Sequence, residues 1–277
     1  MREHGVSMYD KIMENIKLTI KSTSKSTIKS ILVEYEKSNK LNKFWKDPVW
    51  KDPIVEIIPA ACEELETLKK TVSPAHCMPC DILPDAKSII CFFIPFADYI
   101  ANSNVNGIMA SEEWALAYLK TNDLIKAINN NVETLMQKNG YKAGKIPATH
   151  NFDTEKLVSN WSHRHLAYIA GIGTFGINNM IITKDGCCGR LGSIIINYKF
   201  DEYKKFKRAG EKCLNKIDGS CGICQKKCVA SAYENNYYDR HKCYSQCLKN
   251  AEYHKESGYA DICGKCLVGL PCSIKEP

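Results

Sequence analysis

The sequence predicts an α+β fold in which a core of mixed helices and strands precedes a cysteine-rich tail. Residues 88–95 form a continuous apolar run that ends in proline, as expected for a strand buried on both faces. Residues 111–139 carry apolar side chains at every third or fourth position, which is typical of an amphipathic helix. Nine of the fifteen cysteines lie in the last 65 residues. This change in composition separates the tail from the core.

Size and charge limit the possible classes of protein. The chain has 277 residues, of which 44% are hydrophobic, so it can bury one core of roughly 200 residues beside a small module that metal would help to fold. The formal net charge of +7 is moderate. No stretch approaches the ~18 apolar residues that span a bilayer, and the amphipathic first 25 residues do not resemble a secretory leader. We therefore expect a cytoplasmic protein without a membrane partner.

The remaining elements are predicted from capping and turn signals. Glu112 and Glu113 would lie in the first turn of the helix at 111–139, and Gly140 would cap its end. A second helix is predicted at 157–169. Two strands are predicted at 180–183 and 193–197, around a turn that contains Gly186.

These elements indicate three regions. Residues 1–84 would form an N-terminal helical region that packs on the core, interrupted at Asp47-Pro48 and Asp52-Pro53. Residues 85–205 would form the α/β core, and residues 206–277 the cysteine-rich module. The charged stretch 200–212 lies at the boundary. Its basic run, Lys204, Lys205, Lys207 and Arg208, is interpreted as a solvated linker, with a nucleic-acid contact as the alternative.

The cysteine spacing in the tail indicates iron–sulfur clusters. Cys221, Cys224 and Cys228 follow a C-x2-C-x3-C pattern that is answered by Cys263, Cys266 and Cys272. Two four-iron clusters need eight thiolates, and in two-cluster ferredoxins the last cysteine of such a run binds the second cluster. Structural zinc and disulfides remain alternatives.

A glycine-rich loop is the second informative segment. Gly171, Gly173 and Gly176 lie within six residues, which lets the backbone turn sharply and approach a ligand closely. A dinucleotide-binding loop would need a strand before the glycines and a helix after them. Here the predicted order is reversed, so the loop indicates another ligand.

The segments 165–176 and 186–193, together with the double cysteine array, resemble epoxyqueuosine reductases and related cobalamin-dependent iron–sulfur proteins. The similarity extends over about residues 85–272 and includes the pattern A-G-I-G-x-x-G followed by L-G-S. It is strongest to short relatives without the carboxy-terminal extension by which some members engage tRNA. The resemblance implies a nitroreductase-like core that binds base-off cobalamin, followed by a ferredoxin-like module with two [4Fe-4S] clusters.

The resemblance also implies roles for individual residues. The corrin ring would lie against Gly171, Gly173, Gly176, Gly192 and Ser193, and Arg164 could pair with a carboxylate of the corrin or of the substrate. One cluster would be held by Cys213, Cys221, Cys224 and Cys272, and the other by Cys228, Cys243, Cys263 and Cys266. Two details depart from the family pattern: Val229 stands where proline is usual, and Cys213 lies eight residues before Cys221.

The proton donor is left open among four residues. The family places an aspartate about fourteen residues before the first glycine of the loop, but Leu157 occupies that position and Asp153 fits only with a local insertion. A histidine poised near neutrality could deliver the proton instead. The candidates are His163, His165, Asp153 and Tyr168.

The predicted function is that of an oxidoreductase. Electrons from a ferredoxin or flavodoxin would pass through the two clusters to cobalamin, which would reduce either epoxyqueuosine in tRNA or an unassigned small molecule. A non-catalytic iron–sulfur electron-transfer or reductive-activation protein is the alternative. A reductive dehalogenase is less favoured because no twin-arginine leader is present and the chain is short.

Several thiols are left without a predicted role. Cys247 is the spare cysteine of the tail, and the adjacent Cys187 and Cys188 are interpreted as small buried side chains. His76, Cys77 and Cys80 resemble half of a zinc site, but no second pair lies nearby in the sequence.

Overall fold

A computed structural model of the protein describes residues 6–37, 48–147, 152–200, 203, 209–234 and 237–277. Its helices are α1 Met8–Lys37, α2 Glu63–Glu66, α3 Leu68–Thr71, α4 Pro79–Ile82, α5 Asp98–Ser103, α6 Glu112–Lys138, α7 His163–Ile169, α8 Leu214–Asp218, α9 Ile223–Lys226 and α10 Arg240–Tyr253. Its strands are β1 Ile54–Pro59, β2 Ser88–Pro95, β3 Ala143–Lys145, β4 Phe152–Asp153, β5 Val158–Ser159, β6 Gly173–Phe175, β7 Ile181–Thr183, β8 Gly189–Ile196, β9 Tyr233–Glu234 and β10 Tyr237–Tyr238.

A four-stranded sheet with the order β1-β2-β8-β3 lies at the centre of the fold. All three of its strand pairs are antiparallel. Strand β2 pairs with β8 along its whole length, from Ser88 opposite Ile196 to Pro95 opposite Gly189. The combination of this sheet with the helices confirms the predicted α+β class.

Every residue of β2 is buried, as its unbroken apolar sequence predicts. Because side chains alternate along a strand, Ile90, Phe92 and Ile94 lie in one core together with α1 and α6. Cys91 and Phe93 lie in a second core, on the other face of the sheet, together with α7. Helices therefore cover both faces of the central strand.

The long helix α6 has the start and the end that its sequence predicts. The Ser111 hydroxyl accepts a hydrogen bond from the Trp114 amide at 3.2 Å, and Glu112 and Glu113 occupy the first turn. At the other end Gly140 has φ +80° and donates its N–H to the Gln137 carbonyl. The following residue, Tyr141, bonds back to the Met136 carbonyl, which completes a Schellman motif.

The N-terminal part of the chain packs on the core as expected, but it is not entirely helical. Ile12 and Ile16 of α1 are fully buried against the sheet and α6. Within the predicted helical region 1–84, Ile54–Pro59 is an edge strand paired with β2. The basic run at 204–208, the 205/206 boundary and Asp47 lie outside the described residues. No helix in the described part of the chain is both long and apolar enough to cross a membrane.

The helix predicted at 157–169 begins later than expected. Its first part is a short hairpin of β4 and β5, in which the Asp153 carboxylate accepts hydrogen bonds from the amides of Glu155 and Lys156. Leu157 has φ +52°, a left-handed backbone conformation that a right-handed α-helix does not contain. The helix starts only after Ser162, whose hydroxyl caps the His165 amide. This local side-chain bonding competes with helix formation and explains the difference.

Gly192 offers a test of the packing around the central strand. A Cβ atom at this position would collide with the Phe92 ring of the neighbouring strand. We expect Gly192→Ala to lower the free energy of unfolding by about 1–3 kcal/mol, the usual cost of overpacking. Thermal unfolding followed by circular dichroism measures the change. Gly210→Ala is the control, because a Cβ there meets nothing within 4 Å; an equal loss in both variants would contradict this account.

Candidate functional site

Buried polar bonds tie the cysteine segment, defined as residues 213–272, to the core. Lys265 is 3% exposed, and its ammonium group donates to the carbonyl oxygens of Asn104 at 2.9 Å and Asn106 at 2.7 Å. The side-chain amide of Asn104 donates to the Cys263 carbonyl, and that of Asn178 donates to the Cys266 carbonyl, both at 2.9 Å. These bonds position two predicted cluster ligands against the core.

The four cysteines predicted for the first cluster meet around one small cavity. Cys213, Cys221, Cys224 and Cys272 all line it. Burial, with smaller contributions from the charges of Cys272, Cys213 and Cys221, raises the pKa of Cys224 to about 11. Four thiols from distant parts of the segment therefore lie close enough to influence one another.

The second predicted set is grouped in the same way. Burial raises the pKa of the Cys266 thiol, and the charges of Cys243, Cys263 and Cys228 add to this effect. Cys224 of the first set also contributes, so the two sets adjoin. Each predicted set of four cysteines therefore lies close together in space, and the assignment of these cysteines to two clusters stays a prediction.

The donor chemistry of both sets suits iron–sulfur clusters. Thiols bind metal only as thiolates, and buried thiolates need a nearby positive charge. Within the described residues, no group of three or more His, Cys, Asp or Glu side chains is arranged to hold a single metal ion. Each thiolate of a cubane binds a separate iron, which is compatible with thiols that surround a shared space.

A cleft of about 890 Å³ lies between the core and the cysteine segment. This volume is at the upper end of the ~300–1,000 Å³ range of ligand sites, so the cleft can hold a large cofactor. Core residues such as His163, Arg164, His165 and Arg190 form one part of its wall. The cysteine segment contributes others: Lys216, Tyr238, Arg240, Cys243, Tyr244, Cys247 and Asp261.

Four of the six predicted corrin-binding residues are absent from the described lining of this cleft. Among the described residues that line it, Gly176 is present, whereas Gly171, Gly173, Gly192 and Ser193 are not. A Cβ on Gly173 would collide with the Ile182 carbonyl, and one on Gly192 would collide with Phe92. Gly171 has φ +74° at the turn after α7. Their small size is thus explained by packing and backbone conformation.

His163 and Ser193 belong to one continuous chain of hydrogen bonds. The Trp161 indole donates to the Ser193 hydroxyl at 3.0 Å. The Nε2 of His163 is 3.1 Å from the Pro147 carbonyl, which can only accept, so Nε2 carries the proton. Nδ1 then accepts the Ser193 hydroxyl hydrogen at 3.0 Å. Both ring nitrogens are used within the protein, and burial lowers the His163 pKa to about 4.

His165 is the candidate donor with a ring nitrogen available to the cleft. Its Nδ1 lies 2.7 Å from the Ser162 hydroxyl, and none of the described residues hydrogen-bonds its Nε2. Burial lowers its pKa to about 4, with a smaller contribution from the Arg164 charge. Both histidine pKa values thus lie below neutrality, and the identity of the proton donor stays a prediction.

Asp153 and Tyr168 are not among the described residues that line the cleft. Hydrogen bonds from the backbone amides of Lys156 and Glu155 lower the pKa of the exposed Asp153 carboxyl, which is therefore ionised at neutral pH. Tyr168 is 37% exposed, and its ring packs on Phe175.

Arg164 and the spare thiols occupy defined positions. The Arg164 guanidinium donates to the Asn179 carbonyl at 2.8 Å. The pKa of the Cys243 thiol is lowered mainly by a hydrogen bond with Cys247 and to a smaller extent by the Arg164 charge. Cys247 thus adjoins the second cysteine set. Cys187 lines the cleft and contacts Cys272 of the first set.

His76, Trp161 and Arg190 were not singled out as site residues from the sequence. His76 is buried, accepts the Ser162 amide hydrogen at Nε2 and stacks on Trp161, so it holds the start of α7. These contacts give His76 a structural role. No short-range pattern marks any of these three, since their partners lie far away in the sequence.

Solved structures share this arrangement over most of the chain. An epoxyqueuosine reductase from Bacillus subtilis matches with a TM-score of 0.52 and 19% identity, and an epoxyqueuosine reductase with a tRNA-Tyr stem loop matches with 0.51 and 20%. Both matches cover 88% of this chain and 65% of the other. A catabolic reductive dehalogenase matches with 0.53 and 15%, over 80% of this chain and 30% of the other.

The chain has the fold of epoxyqueuosine reductases and reductive dehalogenases. This confirms the resemblance noted in the sequence at the level of the fold. The chain spans about two thirds of the length of the epoxyqueuosine reductases it matches. No protein-family model matches it, and neither does any curated protein.

The depressed pKa values predict how stability depends on pH. An unfolded histidine titrates near 6.5, whereas folded His163 titrates near 4, so the unfolded state binds more protons between these values. The contribution of His163 to the free energy of unfolding is fully present above pH 6.5 and is lost as the pH falls toward 4. We expect His163→Gln to reduce the decline in melting temperature between pH 7 and pH 5. Exposed His241→Gln is the control, and an unchanged slope in His163→Gln would contradict the assignment.

Proposed function

We propose that the protein is a corrinoid-dependent iron–sulfur reductase. One observation carries this proposal: the same cleft is lined by core residues on one side and by Cys243, a predicted cluster ligand, on the other. An electron carried by the cysteine segment would therefore arrive at the wall of a site large enough for a corrinoid. The fold likeness to two kinds of reductase supports an oxidoreductase.

The eight cysteines would hold two [4Fe-4S] clusters, which would supply one-electron relays. The Cys243 set would be the proximal one because it reaches the cleft, and the Cys224 set would be distal. A ferredoxin or flavodoxin is the proposed electron donor. Residues 206–277 are proposed to act as a ferredoxin-like module, although they are joined to the core by the buried bonds of Asn104 and Lys265.

A base-off cobalamin in the cleft would supply the metal centre at which the substrate is reduced. Gly176 and Arg164 are the predicted cofactor-binding residues that line the cleft. Aromatic side chains, among them Trp161 and Phe175, contribute apolar wall that excludes water. His165 faces this space with a neutral imidazole; we propose that it positions a polar group of the ligand through Nε2.

The substrate is proposed to be either epoxyqueuosine in tRNA or a small molecule. A tRNA stem loop accompanies one structural neighbour, and this chain has a formal net charge of +7. The alternative function is an iron–sulfur protein that passes electrons to a partner without turning over a substrate itself.

Iron content tests the cysteine assignment. After anaerobic reconstitution we expect about eight irons per chain. Cys263→Ser removes a ligand of one set only, so about four irons should remain. Cys80→Ser, at an exposed thiol outside both sets, should retain the full content. Wild-type protein that never exceeds four irons would eliminate one cluster.

Corrinoid retention separates the reductase from the electron carrier. We expect reconstituted protein to keep a base-off corrinoid absorption band through gel filtration. Met180 lines the cleft, so Met180→Trp should reduce retention by about tenfold or more while iron content is unchanged. Ile217→Trp, at a 55% exposed position, is the control. Full iron content with no retained corrinoid in the wild type would favour the electron carrier.

A further inference from the structure

Cys247 is a fifth thiol beside the second predicted cysteine set, although a four-iron cluster binds only four thiolates. It lines the cleft together with Cys243 of that set. A hydrogen bond with Cys243 raises the pKa of the Cys247 thiol, and burial and the charges of Cys243 and Cys263 add to this effect. Cys247 is therefore a neighbour of two predicted ligands, and the chemistry proposed above gives it no role.

Cys243 and Cys247 lie one turn apart on the same face of α10. Side chains four positions apart in a helix are neighbours, with Cβ atoms about 5–6 Å apart, and these two thiols are in hydrogen-bonding contact. The Asp239 carboxylate caps the start of the helix by accepting the amide hydrogens of His241 and Lys242. A small shift would therefore bring either sulfur atom to the position of the other.

The other end of α10 is attached to the core, which gives the cysteine pair a defined position. The Asn250 side-chain oxygen accepts the Ala110 amide hydrogen at 2.7 Å, and the Nε2 of His254 lies 2.9 Å from the Ala110 carbonyl oxygen. Asn250 and His254 are both buried. Because the helix is held at both ends, its two thiols stay beside Cys263 of the facing loop.

We propose that Cys243 and Cys247 are interchangeable ligands of the second cluster, so that Cys247 binds iron when Cys243 cannot. Cys228, Cys263 and Cys266 would bind the other three irons of the cubane. In the exchange one iron–sulfur bond breaks and another forms, and the incoming thiol releases its proton. The cluster thus keeps four ligands. This proposal rests on the proposed function and gives the cluster at the cleft a reserve thiol.

The iron content of alanine variants tests the exchange, because alanine has no atom that binds iron. It is measured after anaerobic reconstitution and gel filtration in buffer without added thiol. We expect Cys243→Ala and Cys247→Ala each to keep about eight irons, and the double variant to keep about four. Cys228→Ala is the matched control. Its sulfur accepts the Ala232 amide hydrogen on another loop, so this variant should fall to about four irons although Cys247 is present.

Electron paramagnetic resonance identifies the clusters that remain. Reduced Cys243→Ala should show two four-iron clusters, one of them with a signal shifted from wild type, because a different thiolate binds the same iron. The proposal is overturned if either single variant falls to about four irons, or if Cys243→Ala holds about seven with a three-iron signal when oxidised. Full iron content in the double variant would overturn it as well. Wild-type protein that never exceeds four irons would instead contradict the proposed function itself.

Discussion

The docking of the cysteine-bearing loop on the core is the constraint on which the site depends. Lys265 is almost fully buried and bonds two backbone carbonyls of the 104–106 turn. Gly264 lies so close to Trp114 that a Cβ atom there would collide with the indole ring. Because Cys263 and Cys266 flank these two residues, the contacts that attach the loop also position the thiols. The cleft is the space that remains between the attached cysteine segment and the core.

Burial disfavours the charged form of two kinds of side chain in this region, thiols and histidines. The cysteine sets gather groups whose ionised form is disfavoured by burial, as the raised pKa of Cys224 and Cys263 to about 11 indicates. The histidines of α7 are kept neutral for the same reason. Bound metal would relieve the first group by adding positive charge. The histidines instead satisfy their nitrogens by hydrogen bonds within the protein or toward the cleft.

Features set by local periodicity were predictable from the sequence. The buried strand at Ser88–Pro95 and the capped helix after Ser111 depend on the order of apolar residues and on neighbouring capping groups. The spacing of Cys221, Cys224 and Cys228 predicts a cluster-binding segment, and this assignment stays a prediction. Each of these signals is contained in a short stretch of chain, where pattern and physical cause coincide.

Features set by distant contacts were not predictable in this way. The close packing of Gly173 against Ile182 and of Gly192 against Phe92 is an example, because these partners lie elsewhere in the sequence. The hairpin before α7 replaced part of a predicted helix because the Asp153 carboxylate bonds the backbone locally. Arg190 meets Tyr118 only in the folded chain, since they are separated by 72 positions, and no motif connects them.

The turn before β8 shows how closely the carboxy-terminal residues are built into the core. The amides of Cys187 and Cys188 donate to the carbonyl oxygens of Cys272 and Ser273, and Gly186 leaves no room for a side chain beside Ser273. Excision of the tail would therefore strip acceptors from backbone donors inside the molecule. The core and the cysteine segment therefore share a backbone hydrogen-bond network, so removal of the segment would also destabilise the core.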